Sequence, residues 1–554
     1  MTQLPSPDTV LGNFDNHSTI VGEDHYRFYR RGEEYWVELP EHWAEKAARY
    51  LDSEAPPRDQ RIVLMTGSHH QQVYWVEVDG RILATGVNWI KEFNQFVPLN
   101  DIFLRPTQTT ETRSLQEWTT NCIRCHSTPA WRTHPTKGPG TKSTRHPVAA
   151  KKGLAALRQM PSLSLAEPDL DPGLRSLPPS PAQMPELGIS CEACHGPGEA
   201  HIELYSSPLR RYAQHLDLLD DDHQILNPKA MSGHEASLLC GSCHAPRSGF
   251  RVGDGSFRRK TALENPSLIW PDGMIRSGGR GYIAIQSSPC FADEDFGCTS
   301  CHSMHDSSPS DQLAAGLEAN QDCLQCHSGL AEKVEEHTRH APESSGSLCY
   351  DCHMPHTSFN LLKATRSHEI SSPNAAVTRD TGRPNACNLC HLDRSLGWTA
   401  EMLTRWYGQP RVDLDDDQRN LSAAALGALK GDAMARALYG WSMGQQRPQD
   451  ISGRNWLVPF LAVLLNDPYS AVRVVANRSI RSIPGWENYE HDPWLPPLEE
   501  ETLHDSIARQ WPRAGRFPER VGSNVLLGPD GVPEWETFEA LLSVRDLSEV
   551  KISE

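Results

Sequence analysis

The sequence predicts a mixed α+β protein with much irregular structure, and three observations lead to this prediction. The first 110 residues alternate apolar and polar side chains in the manner of strands. Residues 111–395 repeat one five-residue motif seven times, between connections rich in proline and glycine. From residue 396 the pattern changes to alanine-rich stretches with helical periodicity. We therefore expect a β-rich region over 1–110, a motif-bearing domain over 111–395, a helical region over 396–485 and an irregular tail over 486–554.

The composition of the 554-residue chain excludes two classes of protein. A formal net charge of −18 is unfavourable for binding nucleic acid. No apolar run approaches the about 18 residues of a transmembrane helix, and the mean hydropathy is −0.54. Hydrophobic residues make up only 38% of the chain, beside 42 Pro and 39 Gly, so we expect something other than side chains to fill part of the interior.

The β-rich region contains segments such as "HYRFYRRGEEYWVEL" and "QQVYWVEVDGRILATG", which are enriched in aromatic and β-branched residues. Asp79-Gly80 lies between two of these segments, and this dipeptide is typical of a two-residue hairpin turn.

Fourteen of the 15 cysteines belong to the motif Cys-x-x-Cys-His, numbered 1 to 7 here in chain order. The cysteine pairs are Cys122 and Cys125, Cys191 and Cys194, Cys240 and Cys243, Cys298 and Cys301, Cys323 and Cys326, Cys349 and Cys352, and Cys387 and Cys390. The histidines that follow them are His126, His195, His244, His302, His327, His353 and His391. The remaining cysteine, Cys290, is most simply a free buried thiol.

This spacing suits covalent attachment of haem c. Two thiols three positions apart can form thioethers with the vinyl groups of one porphyrin, and the adjacent histidine can then bind the iron as the proximal ligand. Structural zinc and redox disulfides also use Cys-x-x-Cys pairs, but neither requires a histidine directly after the second cysteine. The sequence therefore predicts seven covalently bound haems, whose apolar rings would replace the missing core, with zinc and disulfides as the alternatives.

Eighteen histidines remain as candidates for the second, distal iron ligand. His305 follows His302 too closely to bind the same iron, so we expect it to serve a neighbouring haem. His337 and His340 lie one helical turn apart between two closely spaced motifs, and one or both are expected to ligate. The predicted distal ligands are His201, His305 and His368 first, then His340, His69, His70, His356, His134 and His146. The alternative for each is a surface or hydrogen-bonded histidine.

The helical region contains "SAAALGALKGDAMARALYGW" and "WLVPFLAVLLNDPYSAVRVVANRSIRSIPG". In the second stretch we expect Asn466-Asp467-Pro468 to form a turn and cap the next helix, which resembles a HEAT-type helix pair. Such a region could dock a partner protein or simply pack on the motif-bearing domain. One further short helix is expected around 535–542.

The segments "GISCEACHGPGEAH", "CTSCHSMH", "CYDCHMP" with "RSHEISSP", and "RPNACNLCH" resemble the multihaem cytochrome superfamily. That superfamily includes cytochrome c554, hydroxylamine oxidoreductase and pentahaem cytochrome c nitrite reductase, and the chain looks similar to members fused to helical repeats. The resemblance covers roughly residues 60–485. The chain lacks the Cys-x-x-Cys-Lys site of the nitrite reductases, and the cross-linking tyrosine of hydroxylamine oxidoreductases cannot be placed.

The resemblance also bears on where the chain begins and where it works. Haem attachment requires reduced thiols outside the cytosol, so we expect a periplasmic or otherwise extracytoplasmic protein, yet "MTQLPSPDTVLGNF" is not a signal peptide. Relatives commonly carry a further Cys-x-x-Cys-His motif before the "VLGNF" region. We expect that a signal peptide was either removed or lost through a misassigned start. A misassigned start would also account for the loss of an eighth haem site, which the upstream DNA would test.

Electron transfer to redox partner proteins is the function that the sequence favours. The main alternative is a haem-dependent oxidoreductase acting on small nitrogen or sulfur oxyanions, such as nitrite, hydroxylamine or sulfite, at a haem with an open distal side. For such a pocket only Arg280 and Tyr282 can be nominated, with an ordinary glycine-rich loop as the alternative. A third possibility is a scaffold that recruits a redox partner through the HEAT-like region.

Overall fold

A computed structural model describes residues 2–21, 24–107, 115–128, 186–216, 225–245, 268–494, 523–528 and 533–552. The segment over 137–183, which its proline, serine and glycine content predicts to be a surface loop, lies outside the described residues, as do His134 and His146. The described part is mixed, as the sequence predicts: strands dominate the first hundred residues, and helices dominate the remainder. Within it, no helix is both long enough and apolar enough to cross a membrane.

The N-terminal strands form one antiparallel sheet that nearly closes on itself. The strands are β1 (Thr2–Gln3), β2 (His17–Val21), β3 (Asp24–Arg31), β4 (Glu34–Glu38), β5 (Asp59–Thr66), β6 (Gln71–Val78), β7 (Arg81–Ile90) and β8 (Gln95–Pro98). Strands β2 to β8 pair in chain order, and β1 pairs with β5. Helix α1 (Glu41–Leu51) joins β4 to β5. The ends of the sheet meet where the rings of His17 on β2 and Phe96 on β8 stack 6.0 Å apart.

Alternation along these strands sends aromatic side chains into the space that the curled sheet encloses. Phe28 on β3 and Phe96 stack with centroids 3.8 Å apart, and Phe14 packs edge-on against Phe28. The predicted hairpin turn between β6 and β7 is confirmed: Asp79 and Gly80 both have positive φ, 49° and 75°. Positive φ at both turn positions is what a type I′ hairpin requires, and this explains the Asp-Gly pair.

The motif-bearing part consists of short helices and irregular connections. Its helices are α2 (Trp118–Asn121), α3 (Ile123–His126), α4 (Glu192–His195), α5 (Glu199–Tyr205), α6 (Pro208–His215), α7 (Gly233–His244), α8 (Gly281–Ile285), α9 (Gln321–Leu324), α10 (Val334–Thr338), α11 (Cys349–His353), α12 (Ala375–Thr381) and α13 (Ala386–Cys390). Two small hairpins add β9 (Ser127–Thr128) with β10 (Glu186–Leu187), and β11 (Ser358–Asn360) with β12 (Lys363–Thr365). Short 3-10 helices include Pro289–Ala292, Cys298–Ser300, Ser328–Lys333 and Ser345–Ser347.

The region after residue 395 is helical. Its helices are α14 (Leu396–Tyr407), α15 (Asp416–Asn420), α16 (Ala423–Lys430), α17 (Ala433–Met443), α18 (Gln446–Ser452), α19 (Val458–Leu464), α20 (Ser470–Arg481) and α21 (Trp535–Ser543). Gly431-Asp432 divides the first alanine-rich stretch into α16 and α17, and the Asp432 carboxylate caps α17 by accepting from the N–H of Ala435 at 2.8 Å. The short helix expected at 535–542 is confirmed as α21.

One expected cap is wrong. Helix α20 has Tyr469 at its N-cap position and no side-chain cap. Asp467 instead turns its carboxylate to the N–H of Tyr469 and to the guanidinium of Arg436, a fully buried ion pair with Nε–Oδ2 2.6 Å apart. The Asp467 carboxylate, which the turn sequence predicted as a helix cap, therefore pairs with the buried guanidinium of Arg436 instead. Whether α16 to α20 form true HEAT repeats stays a prediction.

A single apolar core joins the helical region to the rest of the chain. It combines the outer face of the sheet (Leu64, Trp75), the hairpin β11–β12 (Phe359, Ala364) and helices α16, α17, α19 and α20. A second core, which combines aromatic residues such as Phe28 and Tyr74 with aliphatic ones, fills the inside of the sheet.

Candidate haem sites

Each motif forms one helical turn, which brings its three chemical groups together. The backbone N–H of His126 donates to the carbonyl of Cys122, and the same contact recurs at His195, His302, His327 and His391 with N···O distances of 2.8 to 3.0 Å. Motifs 3 and 6 lie at the end of α7 and in α11. Residues three and four positions apart share one face of a helical turn, so both thiols and the imidazole can address one porphyrin edge.

Four of the motif histidines lie opposite a second histidine at a nearly constant distance. The ring centroids of His195 and His305 are 6.1 Å apart, and those of His302 and His368 are 6.2 Å apart. The other two pairs are His353 with His337 and His391 with His340, both at 6.1 Å. Each pair contains one motif histidine and one histidine from elsewhere in the chain.

This separation fits an iron between the two rings. A metal–nitrogen bond to imidazole is about 2 Å long and the ring centroid lies roughly 1 Å beyond the nitrogen, so two imidazoles on one iron have centroids about 6 Å apart. Direct stacking brings rings closer: His234 and Phe291 stack at 3.9 Å. Within the described residues, no three His, Cys, Asp or Glu side chains group as a metal site. The histidines lie in pairs, whereas a structural zinc site needs four ligands around one ion.

Backbone carbonyls orient several of these rings. Nδ1 of His195 lies 2.7 Å from the carbonyl oxygen of Leu226, and Nδ1 of His353 lies 3.0 Å from that of Ser371. Equivalent contacts occur at His244 with Gly279, His302 with Gln312 and His340 with Thr338, at 3.2, 3.3 and 2.7 Å. A carbonyl can only accept, so Nδ1 carries the proton and Nε2 keeps its lone pair for a metal.

Burial also keeps these rings neutral, as metal binding requires. Burial lowers the pKa of His368 to about 4, assisted by the nearby His302. Burial likewise lowers the pKa of His353 and of His391. A neutral imidazole retains the lone pair that a protonated ring has lost.

The cysteine thiols show which motifs are neighbours. Cys240 of motif 3 is hydrogen-bonded to Cys298 of motif 4, and Cys323 of motif 5 to Cys349 of motif 6. Cys125 of motif 1 lies 3.9 Å from the carbonyl oxygen of Cys243 in motif 3.

Weaker electrostatic contacts complete this order of motifs. Cys194 of motif 2 lies close enough to both cysteines of motif 3 to act on their pKa values, in the raising direction. Burial raises the pKa of Cys301 to about 11, with contributions from Asp322 and then Cys326 of motif 5. Burial raises the pKa of Cys352 to about 12, with a contribution from Cys387 of motif 7. Motifs 3 to 7 therefore follow one another in space as they do in sequence, and motifs 1 and 2 both meet motif 3.

Hydrogen bonds clamp consecutive motifs together. The Asn320 side chain donates to the carbonyl of Ser347 and accepts from the N–H of Cys349, both at 2.9 Å, which ties motif 5 to motif 6. Gln325 of motif 5 donates to the carbonyl of Ser300 in motif 4 at 3.0 Å. The Ser237 hydroxyl, on the helix of motif 3, accepts from the N–H of Cys298 at 2.8 Å. Reasoning from the sequence missed all three residues, because isolated polar side chains beside a motif carry no signal of such contacts.

The other candidate distal ligands have different surroundings. His201 on α5 lies against Tyr205, 4.6 Å between centroids. His69 and His70 lie in the β5–β6 connection, where burial, Lys363 and His69 lower the pKa of His70. His356 packs on Trp441 of α17 at 4.7 Å, and burial next to Arg366 and Arg447 lowers its pKa to about 3.

Arg280, Tyr282 and Cys290 lie close to motifs 3 and 4. Arg280 donates to the carbonyl of Ala245, next to His244, at 2.9 Å, and the ring of Tyr282 fills the space that a side chain at Gly241 would occupy. Cys290 is partly buried near Cys301, and its charge is one of the influences that raise the pKa of that thiol.

Comparisons with known proteins agree with this chemistry. Residues 310–392, which contain motifs 5 to 7, match the family model described as cytochrome c7 and related cytochrome c. Multiheme cytochrome MtrA of Shewanella baltica (strain OS185) is 24% identical over 213 residues, which are 38% of this chain and 45% of that protein. The chain thus matches about half the length of this curated relative.

A solved structure, that of the outer cell wall cytochrome OcwA, is similar over 86% of this chain and 92% of its own, with 14% identity and a TM-score of 0.38. A likeness of that strength carries no argument about function. Membership of the narrower superfamily of cytochrome c554, hydroxylamine oxidoreductase and the nitrite reductases stays a prediction. The match over motifs 5 to 7 and the similarity to MtrA support a multihaem c-type cytochrome, in which haem c would be bound covalently.

Proposed function

We propose that the chain carries seven haems, one at each motif, and passes electrons along them to redox partner proteins. Haem c supplies one-electron chemistry, and the protein tunes it through axial ligands, burial and nearby charge. The observation that carries the proposal is the set of four histidine pairs, each with a motif histidine on one side. An iron held by two histidines has no position left for a substrate, which suits electron transfer rather than catalysis.

The four pairs support an assignment of axial ligands for four of the seven proposed irons. We assign His195 and His305 to haem 2, and His302 and His368 to haem 4. Haem 6 takes His353 and His337, and haem 7 takes His391 and His340. Each of two short segments would then supply ligands to two irons, because His302 and His305 lie three residues apart, as do His337 and His340.

The contacts between motifs support a continuous path for electrons. Adjacent thioether sites would hold adjacent porphyrins close together, and electron transfer needs short gaps between cofactors. The path would run from haem 3 through haems 4, 5 and 6 to haem 7, with haems 1 and 2 both joining at haem 3.

Spectroscopy and electrochemistry of the exported holoprotein test this function. We expect a haem-to-protein ratio of seven, a mainly low-spin ferric spectrum and reversible reduction of every haem on an electrode. Replacing His305, His337, His340 or His368 singly by Ala should each convert one haem from low spin to high spin. The control His234→Gln, at a residue that packs on Phe291, should convert none. Four variants without any spectral change would refute the ligand assignment.

Catalysis on a small oxyanion at one haem is the second candidate, and it would need a motif whose histidine lacks the paired partner of motifs 2, 4, 6 and 7. His327 is exposed, and among the described residues no histidine ring lies opposite it at the separation of the four pairs. A high-spin ferric signal that responds to nitrite, hydroxylamine or sulfite, and that disappears in a Cys323→Ala/Cys326→Ala variant, would establish this second function. A wholly low-spin spectrum that is unchanged by these compounds would exclude it.

The location that follows from this chemistry is extracytoplasmic. Thioether formation needs thiols that are reduced and presented outside the cytosol, so the chain must be exported before it binds haem. Fusion of the chain to a cleavable signal peptide, in a host with a cytochrome c maturation system, should give haem-loaded protein. Expression in the cytosol should give haem-free protein.

A further inference from the structure

Helix α14 (Leu396–Tyr407) contacts ligand residues of two different haem sites. Near its start, the ring of Trp398 lies 5.1 Å from that of His391 in motif 7. At its end, the Tyr407 hydroxyl donates to the carbonyl of His337 at 2.6 Å. The rings of Tyr407 and His337 also meet edge-on, with centroids 6.3 Å apart. The helix thus touches a histidine assigned to haem 7 at one end and a histidine assigned to haem 6 at the other.

The helix is fixed to motif 7 by a buried polar contact. The Thr399 hydroxyl donates to the side-chain oxygen of Asn388 at 2.8 Å, and Asn388 occupies the first variable position of the motif. The amide nitrogen of Asn388 donates to the carbonyl of Arg394, just before the helix begins, at 3.0 Å. Thr399 and Asn388 are both fully buried. A buried amide that is satisfied on both sides has little freedom to turn, so the helix and motif 7 behave as one rigid piece.

Tyr407 is placed between the two motifs. Cys352 of motif 6 and Cys387 of motif 7 both lie near enough to its phenol to act on it electrostatically. His337 lies in the five-residue helix α10, which is too short to hold a fixed orientation by its own hydrogen bonds. The carbonyl of His337 is held instead by the Tyr407 hydroxyl, which belongs to the longer helix α14, and α14 is itself anchored to motif 7.

We propose that α14 is a strap that sets the relative orientation of the axial histidines of haems 6 and 7, with Tyr407 as the positioning residue for His337. This rests on the proposed function, in which His337 is a ligand of haem 6. Through the strap, the position of the helical region determines how the axial histidines of haems 6 and 7 are oriented. The helical region thereby contributes to electron transfer without carrying a haem motif of its own.

The test compares Tyr407→Phe with Tyr212→Phe in the haem-loaded protein, by EPR spectroscopy and by redox titration. Tyr407→Phe keeps the ring and removes only the hydroxyl that holds His337. We expect one low-spin signal to move, with a shift in the midpoint potential of one haem, while the other signals and the haem content stay as in the wild type. Tyr212, which is 67% exposed on α6, should change nothing when its hydroxyl is removed.

Two more variants separate the strap from the ligand assignment beneath it. His337→Met should change the haem 6 signal to that of histidine–methionine ligation; no change there would refute the assignment. A change in His337→Met without any change in Tyr407→Phe would refute the strap alone. Thr399→Val, which preserves shape and removes the anchor, should move the signals of haems 6 and 7 together. A shift of all seven haems in Tyr407→Phe would show a general packing role and would also overturn the proposal.

Discussion

The imidazole rings of His337 and His353 lie 6.1 Å apart and within 9° of parallel, although 16 positions separate them in the chain. The rings of His195 and His305 are still closer to parallel, at 3°. The two remaining pairs are tilted by 29° and 32°. Four pairs from different segments thus share one separation and a narrow range of angles.

The angle between axial imidazoles should be visible in the EPR spectrum. Rings that are nearly parallel give a rhombic low-spin signal, whereas perpendicular rings give a single feature at large g. We therefore expect rhombic signals from haems 2, 4, 6 and 7, with those of haems 2 and 6 nearly alike. Large-g signals that together account for more than three of the seven haems would contradict the ring angles of the four pairs.

Gly346 should be indispensable for the ligand assigned to haem 7. A Cβ atom at this position would overlap the ring of His340, so Gly346→Ala must displace that imidazole. We expect one haem to become high spin, as measured by optical and EPR spectra. The matched control is Gly329→Ala, because a Cβ atom there meets nothing within 4 Å. Identical spectra for the two variants would show that His340 is not a ligand.

Asn320→Ala should loosen the junction between motifs 5 and 6. The side chain makes two hydrogen bonds across the junction, each with a net contribution of about 0.5–1.5 kcal/mol, so the free energy of unfolding should fall by about 1–3 kcal/mol. Denaturant unfolding of the haem-loaded protein measures this loss. Asn420→Ala is the control, since the Asn420 side chain bonds within its own helix, to the carbonyl of Asp416. A loss no larger than that of the control would show that the clamp adds nothing.

Asp467→Ala should destabilise the helical region strongly. Its carboxylate holds Arg436 through two contacts, at 2.6 and 3.2 Å, and both side chains are almost fully buried. Removing one partner leaves a buried guanidinium charge uncompensated, which typically costs about 3–5 kcal/mol. The exposed Asp416 provides the comparison: Asp416→Ala should change stability by no more than about 0.5 kcal/mol. Thermal unfolding followed at the haem bands and by far-ultraviolet circular dichroism would report both values.

Local patterns allowed much of this molecule to be predicted. The spacing of Cys122, Cys125 and His126 needs only one helical turn to make sense, and alternation with an Asp-Gly pair was enough for the β6–β7 hairpin. Which histidine pairs with which motif histidine could not be predicted. His302 and His368 are 66 positions apart, and their meeting depends on the folding of the intervening chain around other haem sites. The contacts of Asn320 and Tyr407 could not be predicted either, because a single polar residue belongs to no periodic pattern that would indicate its partner.

The order of the paired histidines along the chain has a consequence for biogenesis. For the haems proposed at motifs 2 and 4, the assigned second histidine, His305 or His368, lies downstream of the attachment motif. For the haems proposed at motifs 6 and 7, the assigned second histidine, His337 or His340, lies upstream. A chain exported from its N-terminus would present haem 2 with an incomplete coordination sphere until 110 further residues, from His195 to His305, had emerged. For haems 6 and 7 the second ligands would already have emerged when the haem is attached. Haems 2 and 4 would therefore become low spin late, whereas haems 6 and 7 would become low spin on attachment.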